Sequence, residues 1–578
     1  MSRKIVEDVL GKRDTKELWG TGYRFALPVT PQDYALGSVL PAMLYMMRWG
    51  QRRGKGKFDD VFGKNATLND VSRKLASDAE KFVGFENTTE RAILADLFLA
   101  FCLENKAHKL GRDEQVQRIF PTHYFSSWVD LPKDVANLRA VPEMLVAIAA
   151  NQEEGSSLLS NQGKGFYAIG SGFEKNLMLS LFSSGTSVEG QEDNIKSDKF
   201  DETTEIGIDQ LLAVRLAQAL GEAPIKALGG MHSIPNQLPI SENAAKNFFE
   251  DFNIFLRSYG ETIPRQSLLP MLESCIAIGI VNIYLSTLKI LLRWAKIGLI
   301  APEKDEQNSW GLFVDCSAST DMMLRRFSEE CFDDLLHRLT QIPIIMMCLR
   351  VLDQRAEQER YKALPNPSPN AIARINFLGD LLFERMNESR DIYRDLRRDC
   401  NKLATALEEA GEIHAKNVLE NEAVHPAWRM AEALIYLMGE KVQGRYRLFL
   451  DSSLMIDQPN GLARKRRTIL KGKSTERRSI VLTNAAIDFL VHRHLRKSKK
   501  GTGAKDLSLN GFIKILRERY GFFVDEAPPG MSIPDDQLRK NRGYLERRLR
   551  DLGLFVGVND AEAMKRLKQR FEVEIDAD

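Results

Sequence analysis

The run Cys275–Leu288, CIAIGIVNIYLSTL, constrains the fold of this chain more than any other stretch: fourteen residues without a charge, between Glu273 and Lys289. Crossing a bilayer takes about 20 apolar residues, and this run is shorter and carries Asn282. It reads as a buried core helix around which other elements must pack. Further helices are expected at Leu36–Trp49 (closed by Gly50), Arg91–Leu103, Val141–Ala150 and Met322–Leu339, and in the charged stretch Leu378–Glu409. A chain of 578 residues exceeds what one hydrophobic core serves. Shifts in texture divide it into a helical domain at 1–155, a mixed domain at 156–300, a helical domain at 301–445 and a basic domain at 446–578. Within the second, the polar and acidic segment 184–204 is expected as a mobile surface loop. The fold class is mainly α and multidomain, with small β elements.

The six cysteines are scattered without a CxxC pair, the pattern of reduced thiols packed as small apolar groups. The opening MSRKIVEDVLGKRD lacks the apolar run of a signal peptide. A soluble, cytoplasmic protein without a membrane partner is the expectation.

Charge is distributed unevenly. Gly461–Lys505 holds fourteen Lys or Arg against Glu476 and Asp488, a local balance of +12, whereas the whole chain is +2 and the remainder therefore −10. A concentrated basic strip on an acidic body suits a polyanion, with duplex DNA the first candidate. The residues expected to contact phosphate are Arg464, Lys465, Arg466, Arg467, Lys471, Lys473, Arg477, Arg478, Arg493, Arg496 and Lys497. Aromatic side chains for stacking single-stranded bases are scarce there, Phe489 alone, which favours duplex. His492 and His494, in the same strip, are read as further phosphate contacts or surface residues.

Beyond the strip, Leu507–Val524 reads as a helix with a short strand, followed by turn chemistry at Asp525–Gly530. Asp535–Leu552 is an amphipathic helix with Leu538, Leu545, Leu549 and Leu552 on one arc and Arg539, Lys540, Arg547 and Arg550 opposite. Gly553 stops it, Leu554–Val558 follows as a strand, and Ala561–Phe571 is expected as a closing helix. Helix, turn, basic helix and wing is the order of a winged helix-turn-helix module, with the Asp535–Leu552 helix as its groove reader. The alternative is a winged helix used for protein contacts.

The run ARKRR, ERRSIVLTNAAIDFLVHRHL, LSLNGFIKILRERYGFFVDEAPPG and NRGYLERRLRDLGLFVGVNDAEAMKRLKQRF resembles the ends of large bacterial proteins of DNA-modification and anti-phage defence systems, the methylation-associated type included. The resemblance covers the last quarter of the chain. It implies a subunit that works with other proteins of a multi-component DNA-targeting system, and it carries over no catalytic residue.

Motifs for chemistry are sparse. Asp315-Cys316-Ser317-Ala318-Ser319 has the D-x-S-x-S spacing with which Asp315, Ser317 and Ser319 could hold Mg²⁺ through hard oxygens. No TDG-like turn completes such a site, and a helix start capped by Ser319 or Thr320 accounts for the same residues. Gly472-Lys473-Ser474 ends like a phosphate loop, but Arg467 stands where its first glycine is required. The basic loop Gly50–Phe58 reads as a connector. No cofactor is implied and no catalytic residue is assigned. The leading expectation is a non-catalytic DNA-binding subunit. A divergent metal-dependent nuclease or NTP-dependent effector with a site in 155–320, and a helical scaffold for RNA or acidic proteins, are the alternatives.

Overall fold

The computed structural model describes residues 2–54, 56–100, 102–105, 115–129, 138–151, 167, 169–170, 172–189, 198–224, 238–300, 310–358, 370–470, 473–496, 506–557 and 565–571. The protein is mainly helical, and its described strands form small two-stranded sheets. The apolar run lies inside a helix of 33 residues, Arg265–Ile297, whose side chains from Leu268 to Leu288 are almost all buried. This helix and the interrupted pair Met322–Ala356 are long and apolar enough to cross a membrane, but 78% and 61% of their apolar windows are buried within the protein. The long helix is therefore enclosed by its neighbours. Gly279 lets Glu242–Tyr259 approach it, since a Cβ there would stand 2.1 Å from Cδ2 of Phe248. At its end Gly298 takes a left-handed conformation (φ 69°) against Gly379, where a Cβ would meet the Gly298 carbonyl at 1.8 Å. One apolar cluster built on this helix reaches from Val6 to Leu567. A smaller one gathers Phe58, Val71, Leu94, Phe98, Val116 and Leu216.

Several expected helices lie where their periodicity put them. Val39–Trp49 ends on left-handed Gly50, Val141–Asn151 is apolar on nearly every face, and Met322–Leu339 has the expected limits. The Arg91–Leu103 helix is instead Thr88–Leu99, started one turn earlier by the capping box of Asn87 and Glu90, and from Cys102 the chain pairs with Gln115–Ile119. The Leu378–Glu409 stretch divides into Ala371–Leu382 and Ser389–Glu409, with Glu384 at φ 51° between them. Within 184–204, expected as a mobile loop, Thr186–Val188 pairs with Asp198–Phe200, and residues 190–197 lie outside the described residues. Asp198 is buried and takes Arg48 Nη2 at 2.6 Å and the Tyr124 hydroxyl at 2.9 Å.

Three C-terminal helices, Asn484–His494, Leu509–Tyr520 and Asp535–Asp551, complete the fold. The expected helix Ala561–Phe571 is not formed in its described part. Arg566–Leu567 is extended, pairs antiparallel with Phe555–Val556 and bridges Ser508 on its other side, so the strand order is 508–566–556. Backbone bonds Leu567 N–H to Leu507 O and Leu509 N–H to Lys565 O hold it there, and Leu567 is buried. Elsewhere Leu312–Phe313 runs parallel to Phe522–Phe523, and Val314 bridges Ile480.

Two of these helices, Asn484–His494 and Leu509–Tyr520, are joined to the body through one carboxylate. Asp251, 3% exposed, accepts from Arg493 Nε at 2.8 Å, Arg519 Nη2 at 2.8 Å and the Tyr520 hydroxyl at 2.8 Å. Burial opposes its ionisation, but the charges of Arg519 and Arg493 outweigh it and hold its carboxyl below the ordinary carboxylate range. Asp251→Asn should lower stability by about 3–5 kcal/mol, because Arg493 loses its counter-charge inside the protein and Arg519 keeps only Glu250, at 3.3 Å. A urea midpoint equal to that of the parent would refute this assignment.

Two buried histidines, His123 and His492, and the half-buried His425 give the fold a pH dependence. Burial pushes His123, His425 and His492 down from 6.5 to about 4. Each is held neutral when folded and takes up a proton more readily when unfolded. Stability is therefore present in full above pH 6.5 and is lost as pH falls from 6.5 through about 4. Denaturant midpoints measured across that window should fall steadily on acidification; a flat profile would contradict the neutral assignment.

Candidate nucleic-acid interface

The basic strip folds as a hairpin followed by a buried helix. Ala463–Leu470 pairs antiparallel with Lys473–Ile480, placing Arg466 opposite Arg477 and Arg467 opposite Glu476. Opposed residues share a face, so the Arg466–Arg477 pair would repel unless a counter-charge lay beneath it. Glu329, 1% exposed on the Met322–Leu339 helix, supplies that charge. It accepts both Nε and Nη2 of Arg466 at 2.8 and 2.6 Å and lies 3.8 Å from Arg477, which also reaches Asp333 at 3.5 Å. Arg478 is buried and bonded twice to Asp451, both at 2.7 Å.

The fate of the remaining cations follows from which side of the hairpin or helix they occupy. Arg493 and Arg496 are buried, the first on Asp251 and the second on the Tyr259 hydroxyl at 3.1 Å and Gln569 Oε1 at 2.9 Å. Thus Arg478, Arg493 and Arg496 hold the interior together and do not present their charge to solvent. His492 and His494 are also interior, not surface, residues: His492 accepts the Arg570 N–H at 3.1 Å, and His494 Nε2 lies 2.8 Å from the Tyr520 hydroxyl. The side chains at the outer surface of the first strand are Lys465 and Arg467, whereas Arg464, on the face of Arg466, is half-buried. Lys465 lies 3.7 Å from Glu476, Arg467 bonds Ser474 Oγ at 2.6 Å, and Arg464 has no ion-pair partner among the described residues. Lys473 begins the second strand, while Lys471 and Lys497 lie outside the described residues.

On the Asp535–Asp551 helix, Leu538, Asn541, Leu545 and Leu549 are buried, and Arg539, Lys540, Arg547 and Arg550 are exposed on the other side. Lys540 pairs with Asp321 at 2.5 Å, Arg547 approaches Asp551 at 4.0 Å, and Arg550 pairs with Glu546. Asn541, fully buried, is the pin of this helix. Its amide donates to Val314 O at 2.8 Å and Val524 O at 2.9 Å, and its Oδ1 accepts the Cys316 N–H at 2.9 Å. Asp321 and Glu329 stand eight residues apart on one helix, a rise of about 12 Å. That helix therefore sits against the basic helix at one end and the basic hairpin further along.

The D-x-S-x-S turn lies between these two elements. Asp315 is fully buried; its Oδ1 accepts the Ser317 N–H at 2.9 Å and hydroxyl at 2.6 Å, and its Oδ2 accepts the Ser319 N–H at 3.0 Å. Burial raises its pKa against those hydrogen bonds. Ala318 and Ser319 adopt positive φ to close the turn. The following helix is capped by Asp321, which accepts from Met323 and Leu324 N–H, and not by Ser319 or Thr320. The carboxylate is directed at its own turn, and no cluster of three or more metal-ligating side chains occurs among the described residues. The arrangement can present cations to a polyanion and fix the elements that carry them.

Sequence reading missed Glu329, Asp451, Asp251 and Asn541, which decide the direction of the basic side chains. Each lies far along the chain from its partner, so periodicity gives no signal for it. The charge balance held an indirect one, since an acidic remainder of −10 must meet a strip of +12 somewhere. Asn541→Ala should cost about 2–3 kcal/mol, because two carbonyls and one N–H lose their partner in the interior. Chemical denaturation of the full chain measures it; an unchanged midpoint would show that Asn541 does not pin the helix.

Neither a curated protein nor a solved structure matches the chain. A family described as methylation-associated defense system protein MAD7 matches residues 28–571, which takes in the helical body as well as the C-terminal quarter. The chain belongs to the methylation-associated defense system protein MAD7 family and is thus a component of a methylation-associated defence system.

Proposed function

We propose that this component grips duplex DNA without catalysing a reaction on it, and that its acidic helical body docks other subunits of the same system. The observation that carries the reading is the order of the C-terminal elements. Helix Asn484–His494 is followed by an extended Ser508, helices Leu509–Tyr520 and Asp535–Asp551, and the strands Phe555–Val556 and Arg566–Leu567, which pair in the order 508–566–556. That order supports a winged helix-turn-helix reading, in which the last helix would enter the major groove. Here its exposed face carries Arg539, Lys540, Arg547 and Arg550. Asp535 and Asp536 occupy its first turn, so favourable contact begins at Arg539. The hairpin cations Arg464, Lys465 and Arg467 would supply sequence-independent phosphate contacts beside it.

The test is fluorescence anisotropy of a labelled duplex with the full chain at several salt concentrations. Replacing Lys465 and Arg467 by Ala should weaken binding evenly across sequences, and replacing Arg547 and Arg550, on the helix that would enter the groove, should weaken it as well. Each lost phosphate contact should flatten the slope of log K against log salt by about 0.9. These side chains are exposed, so the fold is retained. Binding that is absent in the parent, or unaltered in both double variants, would overturn the reading.

A further inference from the structure

The outward face of the Asp535–Asp551 helix carries a residue that nothing within the described chain accounts for. Gly543 lies in the middle of that helix, and glycine is the poorest helix former after proline. Its backbone is ordinary helix without a positive φ, so no unusual conformation requires it. It is exposed, and a Cβ built there would meet no atom within 4 Å, so no neighbouring element requires the missing side chain either. Gly279 and Gly379, by contrast, are needed for close packing against Phe248 and Gly298. The helix runs unbroken through Gly543, and Asn541 pins it to two carbonyls and one N–H, which leaves no hinge for the glycine to serve.

Gly543 also stands at the centre of the cationic face. Arg539, Arg550, Gly543, Arg547 and Lys540 follow one another around an arc of about 100°, with Gly543 near its middle and about 160° from buried Leu545. Its neighbours on the helix surface, three and four residues away, are Arg539, Lys540, Glu546 and Arg547. Each cation is drawn to a partner at the rim of the face. Arg539 turns to the Asp535 carbonyl at 3.4 Å, Lys540 to Asp321 at 2.5 Å, Arg547 toward Asp551 at 4.0 Å, and Arg550 to Glu546. None of them lies across Gly543, so the helix backbone is bare there.

We propose that Gly543 is the point of closest approach between this helix and duplex DNA, its missing side chain setting how deeply the helix seats in the major groove; this rests on the duplex-binding reading. A groove about 12 Å wide barely admits a helix about 10–12 Å across with its side chains, so even one methyl group at the outermost position is felt. Glycine is the residue that lets a backbone come close to a ligand, and an exposed helix gives up stability to hold one. The cations around the bare backbone then meet phosphate on either side of the groove. Their charge favours nucleic acid over a protein partner packed on the same spot.

The test compares Gly543→Ala and Gly543→Leu with the parent as full-length proteins, by anisotropy on a labelled duplex and by urea denaturation. Gly444→Ala, which fills open space on the Lys441–Ser453 helix, is the control. Both alanine variants should keep or raise the urea midpoint, since a better helix former enters without touching a neighbour. Duplex affinity should fall about threefold or more for Gly543→Ala and about tenfold or more for Gly543→Leu. Gly444→Ala should bind as the parent does. Parental affinity in both Gly543 variants would overturn the proposal alone and leave the duplex-binding reading standing. An equal loss in Gly444→Ala, or a lowered urea midpoint in Gly543→Ala, would also overturn it, the second by assigning the glycine to the fold. A parent that binds no duplex overturns both.

Discussion

Asp251 illustrates the constraint on which the rest of the structure depends, that a cation brought into the interior must find an acceptor there, most strongly a carboxylate. Removing a charge from water costs several kcal/mol, and the loss is recovered only by close, well-directed partners. Asp251 provides them for Arg493 and Arg519 together, with Tyr520 completing its shell. Because these residues sit on three different helices, satisfying one charge fixes the relative placement of all three. Asp198 does the same in the N-terminal part for Arg48 and Tyr124, and Asp451 for Arg478. The pairs are directional, so they impose a register that apolar packing alone leaves loose.

The same requirement reshapes the basic strip. A count of charges treats each arginine as available to a polyanion, yet a β-strand sends alternate side chains to opposite faces. One face of the hairpin meets Glu329 and Asp333, and its last cation, Arg478, is drawn inward by Asp451. The helix that follows is apolar around Phe489 and Leu490, so its arginines can lie only at the interior boundary with Asp251 or Tyr259. What reaches solvent is a small set from the first strand. The outer cations belong mostly to the Asp535–Asp551 helix, whose apolar arc is narrow enough to leave most of its circumference exposed.

Legibility from sequence followed the range of the interactions involved. The buried Cys275–Leu288 helix, the Met322–Leu339 limits and the Asp535–Leu552 helix with its leucine arc were readable because periodicity, capping and a closing glycine all act within a few residues. The Arg566–Leu567 strand was not, because its extension is decided by pairing with Ser508 and Phe555–Val556, dozens of residues away in one case. His492 and His494 read as surface residues from their basic neighbours, yet packing turned that helix inward. Asp198 sat in a segment whose composition marks a solvated loop, and only the distant Arg48 explains its burial. For the candidate site, the outward cations of the Asp535–Asp551 helix were legible, and the separation of outward from inward arginines in the strip was not.

A single helix supports both the basic hairpin and a cavity on the N-terminal side of the protein. Lys441–Ser453 places Arg445 at the cavity lined by Trp19, Val29, Met144 and Arg350, and Asp451 under the hairpin at Arg478. Six residues separate them, a rise of about 9 Å. Between them Tyr446 is buried, donates to the Thr21 carbonyl beside the cavity, and accepts the Tyr284 hydroxyl on its own carbonyl at 3.1 Å. Phe449 packs against Tyr34 and Tyr284, with ring centroids 5.2 and 4.8 Å away. The helix is thus anchored to the N-terminal loop and to the central helix in the space of two turns. It is a rigid support shared by both regions. Shared support alone transmits nothing, since coupling needs an element with two arrangements that both sites bias. What it does ensure is that the hairpin cannot shift on Asp451 without drawing on the same helix that holds the cavity wall.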